Sequence, residues 1–591
     1  MKFREASDSE LAASGGAPTS PGEVQPVRHA APKLKELVLV AMAAAIWFCA
    51  FIGLRPLADP DEGRYTEISR EMAISGDYVT PRLNGVKYFE KPPLVYWLSA
   101  LTFKAFGVNH FTARLWIAVF AVLGCLLTYY AAYSIYGRAA GIWSVGVLAT
   151  TLIYYVLAQV ILLDMAVSVM ISGALFSFLL GVREPRGAKR RSLFMAHYAF
   201  MGLATLCKGL IGFLIPGAVM FLWLLLLGRW RSLRPFYPVS GIALFLVIAV
   251  PWHVLVGLAN HSANHKLDFT WFYFVHEHFE RFTTTVHRRF EPWWFFLPIL
   301  VGGLLPWTVF AWQAVARSLR GGWKGRKEQA EAWFLVIWIV FVMGFFSASQ
   351  SKLIPYILPV IPACAVLIGR YVAERRREGM EAGFSRGGWA FVVLAVGAGV
   401  AIPLIKVPGS HDGLTLHYPY GPGLAAAILL AGAGFTGFAL LKRQAGRVAG
   451  GMMVTVAVLF VAIASMGRAF DAGSSIALSR ILQERLKPED RVVHVALYAQ
   501  DMPVYLNRQI DVAGYKGELE FGIDAEPEKT ADRFISRARF IEEWKDARTT
   551  YAVMRNWYYD KWFSQLGLNN EVIGKSGDLY LVVNRSPSSS L

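Results

Sequence analysis

Residues 37–57, LVLVAMAAAIWFCAFIGLRPL, are followed at 59–77 by DPDEGRYTEISREMAISGD. The first stretch is apolar over about 20 residues, the length that an α-helix needs to cross a bilayer. No small-residue cleavage site follows it, which indicates a membrane anchor rather than a signal peptide. The second stretch is polar and carries two adjacent acidic residues, Asp61 and Glu62. The chain is therefore expected to place a polar segment directly outside its first membrane helix.

Similar apolar stretches recur along the 591-residue chain, which is 55% hydrophobic and only 17% charged. A soluble globular chain carries about a quarter charged residues, so this composition excludes a soluble enzyme, a disordered chain and a fibre. We predict a polytopic α-helical membrane protein with about thirteen transmembrane helices. The predicted spans are 37–57, 112–136, 139–157, 160–182, 193–207, 210–228, 238–258, 294–316, 332–348, 353–370, 388–406, 422–441 and 449–467.

The formal net charge of +17 is explained by the loops on one side of the membrane. Lys and Arg accumulate in cytoplasmic loops of membrane proteins. With thirteen spans and a cytoplasmic N-terminus, every basic cluster falls on the cytoplasmic side, so the charge implies no nucleic-acid partner. These clusters lie at 183–191, 229–234, 317–327, 375–377 and 442–447.

This topology divides the chain into three parts. Residues 1–33 are predicted to form a flexible cytoplasmic tail, and residues 34–467 a membrane domain with outer loops at 58–111 and 259–293. Residues 468–591 are richer in charged residues and are expected to form an outer α/β domain of ordinary domain size. Within it we predict a strand at 491–498, an amphipathic helix at 531–546 and a strand at 578–584.

The polar segment at 59–77 is predicted to be a short helix in the outer membrane interface. Asp59 can cap its N-terminus, Pro60 suits the first helical position, and Gly76 is a natural stop. An apolar stripe follows at helical spacing, formed by Tyr65, Ile68 and Met72. The acidic pair in its first turn has two interpretations that the sequence leaves open. It complements the helix dipole, or it contacts a lipid head group.

The segment Tyr88-Phe-Glu-Lys-Pro-Pro-Leu-Val-Tyr-Trp97 places Glu90 and Lys91 just before an aromatic stretch. Interfacial anchoring by lysine and aromatic side chains is common. A lysine held beside two prolines has less freedom than a lysine that extends along a helix to the membrane surface. We therefore favour Lys91 as a partner for a lipid phosphate.

The pattern D-P-D-E-x-R-Y-x-E-I-S-R-E-M-x-x-S-G-D, followed by Y-F-E-K-P, resembles a known family. It is similar to the bacterial 4-amino-4-deoxy-L-arabinose lipid A transferases, in the protein O-mannosyltransferase-like branch of the GT-C glycosyltransferases. The resemblance implies a GT-C fold and extends over most of the membrane part. Further matching segments are Leu163-Asp164, Lys208-Gly209, Glu277 to Phe282, His287 to Trp293 and Ser351 to Leu358.

The resemblance also implies a reaction. The donor is an undecaprenyl-phosphate-linked aminosugar and the acceptor is a lipid A phosphate. Transfer takes place on the periplasmic face of the bacterial inner membrane and gives resistance to polymyxin and cationic peptides. No organic cofactor is implied, and we expect a monomer. The alternative is transfer of another sugar, such as a hexose, to a lipid or to protein Ser or Thr. A transporter is disfavoured, because the ionisable residues cluster at the outer interface and no repeat is visible.

The resemblance assigns roles residue by residue. Asp61, Lys91, Asp164 and Arg281 are expected to be catalytic. Because a phosphate acceptor is already nucleophilic, Asp61 is expected to orient the acceptor or pair with the sugar's ammonium group rather than act as a base. Lys352 and Tyr356 lie one helical turn apart and would share a face. The expected substrate contacts are Glu62, Arg64, Tyr65, Tyr88, Lys208, His287, Lys352 and Tyr356.

A divalent metal such as Zn²⁺ or Mg²⁺ is a further hypothesis. His276 and His278 flank a carboxylate in the middle outer loop and could bind a metal together with Glu90. However, H-E-H differs from the H-E-x-x-H spacing that places two ligands on one helical face. The alternative is that these are ordinary surface histidines.

Overall fold

The computed structural model describes residue 29 and residues 31–284, 291–404, 420–467, 473–546 and 548–584. Over the apolar part of the chain the structure is helical. The α-helices there are Leu34–Cys49, Asp61–Ser75, Leu94–Phe106, His110–Tyr136, Arg138–Ala149, Leu152–Leu157, Leu163–Arg183, Ala188–Lys208, Ile211–Leu227, Pro238–Ala259, Arg281–Thr283, Phe296–Gly303, Thr308–Ser318, Ala330–Ala348, Ile361–Glu378, Ala382–Ala401, Gly421–Leu441 and Ala445–Ser465. A π-helix spans Trp271–Glu280, and short 3₁₀ helices span Trp230–Leu233, His265–Leu267, Lys324–Lys327, Ile354–Val360 and Ile402–Leu404.

Among the described residues, eight helical segments are long and apolar enough to cross a membrane. A ninth results if Phe296–Gly303 and Thr308–Ser318, which are bent by 102° relative to each other, form one span. The polytopic helical architecture is thus confirmed. The remaining four of the thirteen predicted spans also coincide with helices, but these are not continuous apolar spans of full length.

The shortfall has a local reason at each of these four positions. The first helix ends at Cys49 after 16 residues, and Ile211–Leu227 has 17 residues. The predicted span 139–157 is divided at Thr150 and Thr151 into two helices. The helix Ala188–Lys208 is long enough but begins with the basic residues 189–191. Apolar composition alone does not reveal where a helix stops. The sequence therefore overestimated the number of continuous spans.

The first outer loop contains the predicted polar helix, which runs over Asp61–Ser75 and stops at Gly76 with φ 74°. One detail of the prediction was wrong. Asp59 does not cap the helix, because its carboxylate accepts a hydrogen bond from the Gln500 backbone N–H at 2.5 Å. Every residue of the helix from Glu62 to Met72 is buried.

The cover over this helix comes from the C-terminal domain. Gly63 packs so closely against it that a Cβ atom there would lie 2.4 Å from the backbone nitrogen of Asp501. After the helix, the chain forms a small antiparallel hairpin of β1, Arg82–Leu83, and β2, Val86–Lys87. Asn84 in its turn donates to the Ile510 carbonyl at 2.8 Å and accepts from the Ile510 N–H at 2.9 Å. The first loop and the C-terminal domain are therefore one packed unit.

The C-terminal domain has a six-stranded sheet within the described residues. Its strands are β3 (Arg491–Val495), β4 (Asp511–Ala513), β5 (Phe534–Ile535), β6 (Thr550–Arg555), β7 (Glu571–Ser576) and β8 (Leu579–Val583), in the order β5-β4-β3-β6-β8-β7. The first four strands in that order pair in parallel, and β8 adds antiparallel pairs to β6 and β7. Helices Ile476–Arg485, Met502–Leu506, Glu520–Ala525, Pro527–Thr530, Arg537–Trp544 and Asn556–Lys561 connect or cover the strands, with short 3₁₀ helices at Gly517–Leu519 and Phe563–Leu566.

The α/β character predicted for this domain is confirmed. The predicted strands at 491–498 and 578–584 contain β3 and β8, and the predicted amphipathic helix at 531–546 contains Arg537–Trp544. Buried apolar residues lie on both faces of the sheet. The predicted tail over residues 1–33 lies mostly outside the described residues.

Candidate active site

A cavity of about 100 Å³ lies where the outer loops meet the membrane helices. One water needs about 10–15 Å³ on the same measure, so the cavity is large enough for a phosphate-sized group. Six charged side chains line it, three cationic and three anionic: Lys91, Lys208, Arg281, Glu90, Asp164 and Glu277. The structure thus brings three of the five predicted cations into one place.

Two of these cations share one carboxylate. The Lys91 Nζ lies 3.0 Å from Oε2 of Glu277, and an Arg281 Nη lies 2.8 Å from the same oxygen. Glu277 is located on the π-helix, one turn before Arg281, and its side chain is 2% exposed. The carboxylate holds both cations close together although their positions in the chain are 190 residues apart. The sequence suggested Glu277 only as the carboxylate of the possible metal site, although it also lay inside the matched segment.

The charge state of this group follows from its surroundings. Burial lowers the pKa of Lys91, and the Arg281 cation adds to this, while Glu277 opposes it. Burial would also lower the pKa of Arg281, but Tyr356 and Glu277 together raise it above its ordinary value. Arg281 is thus a permanent cation, and a bound anion would further favour the charged form of Lys91.

The third cation, Lys208, is paired with Asp164. Its Nζ lies 2.5 Å from Oδ1 of Asp164 and 4.8 Å from the centre of the Tyr356 ring. The Tyr356 hydroxyl in turn accepts a hydrogen bond from Arg281 at 3.4 Å. Asp164 is therefore paired with a basic residue of a neighbouring helix, and the pair lines the cavity at the same time.

Lys352 was expected to share a face with Tyr356, and the structure separates them. Lys352 precedes the 3₁₀ helix Ile354–Val360 that carries Tyr356. Its ammonium group donates to the backbone carbonyls of Ser349 at 2.6 Å and Glu291 at 2.8 Å. The expectation was wrong because the chain is not yet helical at Lys352, so the four-residue spacing does not place the two side chains together.

The acidic pair at the start of the first-loop helix has two different environments. The Asp61 side chain is 45% exposed and lies 3.8 Å from Arg64.

The Glu62 side chain is 1% exposed and does not line the cavity. Its carboxylate accepts both hydrogen bonds of an Arg114 fork at 2.8 Å and also contacts Arg55 at 2.8 Å. It further accepts from the backbone N–H groups of Ala58 and Ile161.

The other first-loop residues predicted to contact substrate are Arg64 and Tyr65, within this helix, and Tyr88, which follows it. Arg64 donates to Gln500 at 2.8 Å and to Glu518 at 2.5 Å, both in the C-terminal domain. Burial, followed by the Asp61 carboxylate, raises the pKa of Tyr65, which therefore stays protonated. Tyr88 is also fully buried, and burial raises its pKa. Arg64, Tyr65 and Tyr88 thus lie beside the cavity rather than among its lining residues.

The predicted metal set does not come together. His276 bonds to the Glu280 carboxylate at 2.8 Å. The two ring nitrogens of His278 bond to the Tyr273 carbonyl and the Leu210 N–H, and burial lowers its pKa to about 4. No group of three His, Cys, Asp or Glu side chains suited to a metal ion occurs among the residues that the structure describes. Glu90, His276 and His278 therefore do not fit a metal site, because both ring nitrogens of His278 are already used.

His287, also expected to contact substrate, lies at 285–290, outside the described residues. The residues that the sequence missed are Glu277 and the C-terminal partners of the first loop, Gln500 and Glu518. No local pattern indicates the latter two, since Arg64 and Gln500 are 436 positions apart.

The chain is similar to known proteins along most of its length. The model of the dolichyl-phosphate-mannose-protein mannosyltransferase family matches residues 35–265, and that of the aminoarabinose transferase C-terminal domain matches residues 478–585. The chain is 28% identical to the undecaprenyl phosphate-alpha-4-amino-4-deoxy-L-arabinose arabinosyl transferase of Aeromonas salmonicida, over 86% of this chain and 92% of that protein. It is 30% identical to the transferase of the same name from Edwardsiella ictaluri, over 68% of this chain and 70% of that protein.

A solved structure is similar over nearly the whole chain. The crystal structure of ArnT from Cupriavidus metallidurans bound to undecaprenyl phosphate has a TM-score of 0.80 and 29% sequence identity. The match covers 94% of this chain and 98% of that chain. The similarity therefore includes both the helical part and the C-terminal domain.

Proposed function

This chain belongs to the undecaprenyl phosphate-4-amino-4-deoxy-L-arabinose arabinosyltransferase family, and on that basis we propose that it transfers this aminosugar from undecaprenyl phosphate to a phosphate of lipid A. The observation that carries the proposal is the match, over 94% of the chain, to a transferase crystallised with undecaprenyl phosphate. The cavity supports it, because three cations converge there on a space of about 100 Å³.

The donor phosphate is best placed against Lys91 and Arg281. In the reaction an oxygen of the acceptor phosphate forms a bond to the anomeric carbon. The bond from that carbon to the donor phosphate oxygen breaks, and undecaprenyl phosphate leaves with an additional negative charge. Fixed cations at the site of developing charge stabilise such a transition state. A guanidinium also binds phosphate through two parallel hydrogen bonds, so Arg281 orients the leaving group and Lys91 neutralises it.

Asp61 is proposed to position the acceptor rather than to remove a proton. A phosphate monoester with a second pKa of about 6 is already an anion near neutral pH, so no base is required. The exposure of Asp61 at the start of its helix leaves it accessible to a bound molecule. The saturated Glu62 carboxylate, in contrast, is proposed to hold the first loop on the membrane helices instead of contacting substrate.

We also propose the GT-C topology with thirteen crossings and the cavity on the periplasmic side of the inner membrane. The helix Leu163–Arg183 supports this, because Asp164 lies at its cavity end and Arg183, paired with Glu331, at the other. The pairs Arg138–Glu36 and Arg317–Glu374 belong to the same end as Arg183. Basic loops mark the cytoplasmic side, and the C-terminal domain packs on the opposite, cavity side.

The test is mass spectrometry of lipid A from Gram-negative cells with and without the gene. An added pentosamine is expected only when the gene is present. Unchanged lipid A together with a hexose on another lipid or on protein would overturn the proposed substrate.

The residue roles are tested separately in liposomes that contain the purified chain, the lipid-linked aminosugar and lipid A. We expect Lys91→Ala and Arg281→Ala each to lower kcat about 10²–10³-fold, while Asp61→Asn retains most of the turnover at saturating acceptor and raises the KM for lipid A. A complete loss of turnover in Asp61→Asn would support a base and overturn the positioning role.

A further inference from the structure

The three carboxylates that line the cavity differ in their partners. Glu277 is in direct contact with Lys91 and Arg281 at 3.0 and 2.8 Å, and Asp164 with Lys208 at 2.5 Å. For Glu90, the ion-pair contact is with Lys91 at 3.9 Å, which is beyond hydrogen-bond distance. Within the part of the chain that the structure describes, the hydrogen bonds given to Glu277 and Asp164 have no counterpart at the Glu90 carboxylate. Glu90 is thus the cavity carboxylate that is not neutralised by direct contact.

The position of Glu90 is fixed by its neighbours. Its backbone carbonyl accepts a hydrogen bond from the Lys91 ammonium at 2.7 Å. The preceding Phe89 is buried and packs edge-on against Phe269 of the middle loop and Phe521 of the C-terminal domain. The Glu90 side chain itself is only 17% exposed. A carboxylate that is largely removed from water without a close partner is unfavourable, and a bound cation would relieve this cost.

The proposed donor supplies a cation of the required kind. Its sugar carries a phosphate at the anomeric carbon and an amino group, protonated near neutral pH, elsewhere on the same ring. The cavity offers the complementary pair, since Lys91 and Arg281 suit the phosphate and Glu90 lies next to Lys91 in the chain. Asp61, the exposed carboxylate of the acidic pair in this loop, is not among the cavity-lining residues.

We propose that Glu90 binds the ammonium group of the donor sugar and so determines the preference for an aminosugar. This inference rests on the proposed function, because it requires a donor that carries both charges. It replaces the metal-ligand role that the sequence suggested for Glu90, and it leaves Asp61 to the acceptor. Glu90 acts on the choice of donor, while the cations act on the leaving group.

The experiment compares two donors in liposomes that contain the purified full-length chain and lipid A. One donor is undecaprenyl phosphate carrying 4-amino-4-deoxy-arabinose, and the other carries arabinose, in which a neutral hydroxyl replaces the ammonium. The measured quantity is the ratio of kcat/KM for the amino donor to kcat/KM for the hydroxyl donor. We expect Glu90→Gln to lower this ratio by about tenfold to a hundredfold, mostly through KM of the amino donor, because a site built to bind a polar group discriminates strongly against its absence.

Glu90→Asp should restore part of the preference, and Asp61→Asn, the matched change at the other carboxylate, should leave the ratio unchanged. Binding of undecaprenyl phosphate without a sugar provides the folding control, and Glu90→Gln should retain it. The inference is overturned if Glu90→Gln keeps the wild-type ratio, if it loses undecaprenyl phosphate binding, or if Asp61→Asn collapses the ratio. A wild-type chain that does not use the amino donor at all would instead contradict the proposed function itself.

Discussion

Glu62 and Glu90 belong to the same outer loop, but their environments are opposite. The Glu62 carboxylate is held by two arginines and two backbone N–H groups and is sealed from solvent. The Glu90 carboxylate faces a cavity, with its ion-pair contact to Lys91 at 3.9 Å. A charge whose hydrogen-bonding capacity is filled by protein groups contributes to the scaffold, whereas a charge left unfilled at a cavity is available to a ligand. In this loop, the groups that contact each carboxylate therefore indicate its role better than the presence of an acidic residue in the sequence.

The largest effect is expected where the scaffold charge is removed. Glu62→Gln keeps the shape of the side chain but leaves the buried Arg114 and the partly buried Arg55 without this counter-charge. Breaking such a buried arrangement costs about 3–5 kcal/mol. Denaturant unfolding in detergent should show this loss, while Glu90→Gln, the same change at the cavity, should stay within about 1 kcal/mol of wild type. Equal stability of the two variants would remove the distinction between the two carboxylates.

The next effect concerns catalysis rather than stability. Lys91→Ala is expected to lower kcat about 10²–10³-fold, because it removes one fixed cation from the leaving phosphate. Lys352→Ala is the contrasting change, since Lys352 is not among the cavity-lining residues and its ammonium group donates to the carbonyls of Ser349 and Glu291. Lys352→Ala should lower the melting temperature, and its loss of kcat should be smaller than that of Lys91→Ala. A larger kcat loss in Lys352→Ala than in Lys91→Ala would reverse our assignment of the two lysines.

The sequence predicted which cations the structure brings together better than it predicted how they are held. Lys91 and Arg281 were identified from the family motif, and the structure places them around one carboxylate. That carboxylate, Glu277, was missed because a residue that positions others has no distinct composition or spacing. The saturation of Glu62 was equally invisible, since Arg114 lies 52 positions away and on another helix.

The fold shows the same limit. Apolar composition located helices at all thirteen predicted stretches but not their breaks, such as the one at Thr150 and Thr151. The α/β character of the C-terminal domain followed from local alternation of apolar residues, and two of the six strands described, β3 and β8, were found. Its docking on the first loop did not follow, because contacts such as that between Asn84 and Ile510 join residues 426 positions apart. Local sequence patterns indicate which helices and strands form. Contacts between residues far apart in the chain determine how these elements pack.

A smaller effect is expected at this docking surface. Asn84→Ala removes both hydrogen bonds to the Ile510 backbone and places alanine at a position with φ 51°, a conformation that asparagine tolerates better. Leaving the buried Ile510 groups unpaired should cost about 1–3 kcal/mol. Limited proteolysis should then cleave the C-terminal domain faster. Gln483→Ala, which removes an exposed hydrogen bond within that domain, should leave the cleavage rate near that of wild type.

The smallest expected effect depends on pH and arises at Asp59, between the first loop and the C-terminal domain. Its carboxylate accepts from the Gln500 N–H. Burial, then the nearby Asp501 carboxylate and more weakly Glu518, raise its pKa to about 7, against the opposing effects of the Gln500 hydrogen bond and Arg64. In the unfolded chain the pKa of an aspartate is about 3.9. Between these pH values the folded protein binds more protons than the unfolded chain, so this group makes the free energy of unfolding fall as pH rises from about 4 to 7.

Asp59→Asn tests this directly, because the amide oxygen can still accept from Gln500 but no charge develops. The variant should lack the Asp59 part of that decline and should be more stable than wild type above pH 7, by about 1 kcal/mol once solvent screening at the exposed Asp59 is allowed for. Unfolding measured at pH 5 and pH 8 in the same detergent gives the comparison, and the two proteins should differ least at pH 5. A constant difference between variant and wild type at both pH values would mean that Asp59 is charged throughout. In that case its carboxylate would resemble Glu62, a charge balanced by the scaffold, rather than a group that burial keeps neutral.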